Sequence, residues 1–114
     1  GEFEEAHQYL GKLHMKMKEF DRAVESFRRC LELRPESALS TVRLDQGLIG
    51  LADALRSKGE LQQAVYHYSK ALVQDNRYQL VCLLKRMTAY YQLHRYDEAE
   101  LDADELLLNK VASS

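Results

Sequence analysis

Three stretches of this chain repeat one another's pattern: EFDRAVESFRRCL at 19–31, ELQQAVYHYSKAL at 60–72 and RYDEAELDADELL at 95–107. Each centres on an alanine, Ala23, Ala64 or Ala99. An apolar residue stands three positions before it (Phe20, Leu61, Tyr96), and Phe27, Tyr68 or Ala103 stands four positions after. Internal repetition at this period constrains the fold more than any other feature. A single unit of that length cannot cover its own apolar surface, so the copies must stack.

Upstream of each repeated line lies a second stretch with apolar residues at helical spacing. Leu10, Leu13 and Met17 mark the first, Leu48, Leu51 and Leu55 the second, and Leu83, Met87 and Tyr90 the third. Short breaks divide each pair. Gly59 suits a helix C-cap, and Asp21 and Asp97 suit the start of the following helix. One proline and five glycines leave too few turn residues for a sheet-rich fold. The expectation is all-α, built from three helix hairpins. In each, the small alanine lets the two helices approach and the aromatics fill the remaining space.

The register of these residues resembles the tetratricopeptide repeat, a helix hairpin with a period of about 34 residues. Leu10-Gly11, Phe20, Ala23, Phe27, Cys30 and Pro35 fall on its pattern in copy one. In copy two Leu51-Ala52, Leu55, Gly59, Leu61, Ala64, Tyr68 and Ala71 do so. Copy three keeps Tyr90, Tyr96 and Ala99 but places Arg86-Met87 at the leucine-plus-small pair. The resemblance implies a short right-handed solenoid in one domain over 1–114. Repeat one would span about 4–37, repeat two about 45–78 and repeat three about 80–113. The alanines are 41 and then 35 residues apart. The surplus falls on 38–44, SALSTVRL lacks glycine and proline, and a helical insertion there predicts a third helix over about 36–58. Seven helical residues would add about 10 Å at its N-terminal end. Gly1-Glu2-Phe3 is consistent with a cloning scar, and the chain reads as a piece of something longer.

Candidate chemistry is sparse. G-x-S-x-G, P-loop and H-E-x-x-H patterns are absent. His7 and His14 lie two helical turns apart, about 10 Å, too far to share one ion unaided. DEAELDADEL lacks the central glycine and closing glutamate of a calcium loop. No catalytic residue, metal site or cofactor is expected, and the chain reads as no enzyme. With a net charge of −2 it offers nucleic acid no basic field. No apolar run reaches the length of a membrane span. Cys30 and Cys82 have neither metal nor redox spacing. That gives the expectation of an intracellular, cytoplasmic setting, with the nucleus or an organelle lumen as the alternatives.

The resemblance implies a concave groove lined by the first helix of each pair, where the family holds extended or helical peptides. Carried over by register, that lining is Gln8, Lys12 and Met15, then Ile49, Gly50, Asp53 and Arg56, then Leu84, Lys85, Thr88 and Tyr91. In GLIG at 47–50, two glycines one turn apart serve either close helix packing or room for a ligand backbone. Repeats that clamp the C-terminal carboxylate of heat-shock chaperones place lysine, asparagine and arginine where this chain has Gln8, Lys12, Gly50, Val81 and Lys85. Too few donors converge, so that clamp is not expected. The expected function is a scaffold or adaptor module for a protein or peptide partner. A stretch of a longer array that works by stacking, and a regulatory domain attached to an enzyme, remain as alternatives. On the last helix, Leu107 corresponds to Leu31 and Leu72, and Glu100 to Val24 and Val65. That half-polar face predicts weak self-association through the C-terminal helix.

Overall fold

Ala23 and Ala64 are fully buried and Ala99 nearly so, as a close approach of paired helices requires. In a computed structural model that describes residues 2–34, 43–74 and 78–113, six helices follow in order. They are α1 (Glu2–Lys16), α2 (Phe20–Leu33), α3 (Leu44–Lys58), α4 (Leu61–Leu72), α5 (Gln79–Gln92) and α6 (Tyr96–Ser113). There is no strand among the described residues. α1 packs on α2, α3 on α4 and α5 on α6, while α2 meets α3 and α4 meets α5. Three hairpins therefore stack in chain order. The core runs through the stack as Phe27, Leu48, Leu51, Leu55 and Tyr68, with Ala52, Ala54 and Ala71 at the close approaches.

The turn inside each hairpin is made alike. Lys18, Gly59 and His94 occupy equivalent positions, and all have positive φ, at 60°, 95° and 61°. In each, the following amide returns to the helix: Glu19 N–H to His14 O, Glu60 N–H to Leu55 O, and Arg95 N–H to Tyr90 O, at 2.8–2.9 Å. A left-handed residue is needed to close the helix this way, and glycine adopts it without a Cβ penalty. Lys18→Gly is therefore expected to stabilise the domain by about 1 kcal/mol, and Gly59→Ala to destabilise it by about as much. A Cβ at Gly59 would meet nothing within 4 Å, so the second loss would be purely conformational. Urea denaturation of both variants checks the pair.

Two expectations are corrected here. α3 begins at Leu44, not near residue 36, because Arg43 has extended backbone (φ −68°, ψ 142°). The Arg43 guanidinium reaches the Asp45 carboxylate at 3.1 Å, whose Oδ1 also accepts the Gln46 N–H at 2.9 Å. That carboxylate sits in the first turn of α3, where the helix dipole favours a negative charge. The remainder of the expected extension, 36–42, lies outside the described residues. Asp21 and Asp97 sit in the first turns of α2 and α6, at the start of each helix as expected. Finally, Leu10, Leu13 and Met17 face outward. The face α1 turns inward instead carries Glu4, Gln8 and Gly11, with Met15 partly buried against the core.

Candidate partner-binding groove

Residues at spacings of three and four share one helix face. On the concave side three such faces converge: Gln8, Lys12, Met15 and Lys16 from α1, Gln46, Ile49, Gly50 and Asp53 from α3, and Val81 and Lys85 from α5. Tyr78, just before α5, and Phe27 of α2 complete the wall of a cavity of about 430 Å³. Phe27 reaches this floor because it is flanked by two glycines. A Cβ on Gly11 would fall 2.7 Å from its ring, and one on Gly50 would fall 2.6 Å from it. Gly47 is equally close to Leu31, at 2.7 Å. Both glycines of GLIG thus serve close packing against α2, and Gly50 also borders the cavity.

Polar groups tie the wall together across repeats. Lys85 Nζ donates to Asp53 Oδ2 at 2.7 Å, joining α5 to α3. The buried Tyr68 hydroxyl donates to Asp53 Oδ1 and accepts from Arg56 Nε at 3.2 Å. Burial pushes the Tyr68 phenol pKa up, and the Asp53 charge pushes it further, so the hydroxyl stays a donor. Gln46 Nε2 donates to the Tyr78 hydroxyl at 2.9 Å. The Lys12 ammonium lies over the Tyr9 ring, 5.1 Å from its centroid. Among the described residues the wall carries three lysines and one carboxylate, and that carboxylate is already held by Lys85 and Tyr68. The surplus charge is positive.

Of the residues carried over by register, Gln8, Lys12, Met15, Ile49, Gly50, Asp53 and Lys85 lie in the wall. Arg56, Leu84, Thr88 and Tyr91 do not. Arg56 is turned to Tyr68, and the Thr88 hydroxyl donates to the Leu84 carbonyl at 2.9 Å. Tyr91 is exposed and packs edge-on against Tyr96. Lys16 and Gln46 escaped the sequence reading although each is one turn from a residue it contained. Phe27 gave no such signal, because it belongs to the second helix and enters between the glycines. The clamp positions Gln8, Lys12, Gly50, Val81 and Lys85 all border the cavity. Three of them bring no charge, and Lys85 is engaged by Asp53.

Residues 3–37 match the tetratricopeptide repeat family. Among solved structures, the TPR domain of Arabidopsis OM64 is similar over 94% of this chain and 82% of that chain, with 25% identity and a TM-score of 0.79. No curated protein matches the chain. Residues 3–37 thus carry a tetratricopeptide repeat, and the three hairpins together have the architecture of a solved TPR domain. The family is one of protein-interaction modules, generally without catalysis of their own. No helix among the described residues is long and apolar enough to cross a membrane.

Proposed function

We propose that the chain is a scaffold or adaptor module that holds an extended or helical segment of a partner protein in the concave cavity. The observation that carries this reading is the cavity itself. Its floor is apolar at Phe27, Ile49, Met15 and Val81, and its rim carries Lys12 and Lys16 with Gln8 and Gln46. An apolar anchor gains by leaving water for that floor, and flanking acidic or amide groups can meet the lysines and glutamines. The carboxylate clamp is not part of this reading, since only Lys12 and an already engaged Lys85 remain of its donors.

A display selection of random peptides on the wild-type chain tests it. The selection is expected to return peptides with one large apolar residue beside acidic ones. Val81→Asp places a charge on the floor at a position exposed enough to spare the fold. It is expected to weaken those peptides by at least about tenfold, or about 1.4 kcal/mol. Peptides that bind the folded Val81→Asp chain as well as wild type would place the site elsewhere, and a selection that returns none would remove the groove as a binding site.

A further inference from the structure

The outward face of α1 carries an exposed apolar stripe. Phe3, Ala6, Leu10, Leu13 and Met17 are all exposed and recur at alternating spacings of three and four, forming one seam along the helix. Their equivalents in repeat two are Leu44, Gly47, Leu51 and Ala54. Of these the last three are buried, and Gly47 abuts Leu31 of the preceding hairpin. In repeat three the equivalents Cys82 and Ala89 are buried, and Arg86 reaches Ser69 of the preceding hairpin at 3.0 Å. Within this chain, therefore, the same seam is twice covered by the second helix of the hairpin before it. α1 carries the seam without a described helix over it.

We infer that this seam receives α6 of a second copy of the chain, continuing the repeat-to-repeat interface from one molecule to the next. Side-chain size supports that occupant. Where α2 meets α3, a large residue faces a small one: Phe27 against Gly50 and Leu31 against Gly47. At a junction of α6 with α1 the equivalents are Ala103 against Tyr9 and Leu107 against Ala6. One pair is reversed and the other kept, and both match large to small. Leu107 is 61% exposed and Tyr9 56% exposed, so each is free to fill such a contact.

Charge supports it as well. Asp21 at the start of α2 pairs with Lys58 at the end of α3 at 3.0 Å, which fixes the antiparallel polarity of the junction. The equivalent of Asp21 is Asp97, and the equivalent of Lys58 is Met17, flanked by Lys16 and Lys18. The acidic start of α6 would thus meet the basic end of α1. A face on one end that fits a different face on the other end is a heterologous contact, which repeats rather than closes.

Sedimentation velocity of the chain over about a hundredfold range of concentration tests this. Wild type is expected to rise in mass beyond a dimer as concentration increases, and to fall back at high salt. Leu13→Glu and Leu107→Glu each block one end at exposed positions and keep the helical circular dichroism spectrum. Each is expected to remain monomeric alone. Mixed, they retain one intact face apiece and are expected to form a one-to-one pair that grows no further. A wild type that is monomeric throughout overturns the inference. So does a mixture that stays monomeric, or a variant that associates with itself, which would signal pairing of like faces.

Discussion

Asp102→Ala is expected to lower the unfolding free energy by about 3–5 kcal/mol. Arg86 donates to both oxygens of Asp102, from Nε at 2.9 Å and from Nη2 at 2.6 Å, and its remaining nitrogen Nη1 donates to Ser69 at 3.0 Å. One side chain of α5 thereby joins α6 to α4. The Asp102 side chain is 4% exposed and that of Arg86 20%, so removing the carboxylate strands a cation away from water. The hydrogen bonds that Arg86 donates to Asp102 are the first cause of its raised pKa, and a guanidinium keeps its proton even without them, so the cation cannot escape by losing it. Arg86 occupies the position of Leu10 and Leu51, and the double replacement Arg86→Leu with Asp102→Leu is expected to restore most of the loss. Denaturant unfolding of the three variants decides it. A single-variant loss below about 1 kcal/mol would mean that the pair is solvated like a surface bridge.

Phe27→Ala is expected to cost about 3–5 kcal/mol and to deform the groove. The ring is 3% exposed and is held between Gly11 and Gly50, so neither side can collapse fully into the space it leaves. The same geometry makes a sign change testable. Alanine is about 1 kcal/mol better than glycine inside a helix, yet a Cβ at Gly50 would strike a ring that Gly11 prevents from moving away. Gly50→Ala is expected to destabilise the wild type by about 1–3 kcal/mol. In a Phe27→Leu background the same change is expected to become neutral or favourable. Thermal or urea unfolding of this cycle measures the coupling. A stabilising Gly50→Ala in the wild type would show that the ring has room to shift.

The stacked hairpins were legible because their markers are periodic. A small alanine, with an apolar residue three positions before it, recurs in every copy. The start of α3 was not legible from composition. SALSTVRL contains neither glycine nor proline, and the helix boundary instead depends on Arg43 taking extended backbone beside Asp45. Helical periodicity also could not say which face of α1 turns inward. Leu10, Leu13 and Met17 form the more apolar face, but packing against α2 requires the slim Gly11, and the inward face follows it. The groove was partly legible for a related reason. Lys12, Ile49 and Lys85 follow from register alone, whereas Phe27 enters only because two distant glycines leave it a path. On α5 the register places Leu84 and Thr88 in the groove beside Lys85, yet it is Val81 that joins Lys85 in the wall. A rotation of about one residue along the helix separates the two sets.

Photo-crosslinking of a selected peptide tests the central claim, that partners bind on the concave side. A benzoylphenylalanine at position 81 stands in the groove wall. One at position 101 replaces Leu101, which is exposed on α6 and lies outside that wall. Irradiation is expected to attach the peptide at position 81 and to leave position 101 unlabelled. Attachment at position 101 with none at position 81 would contradict it.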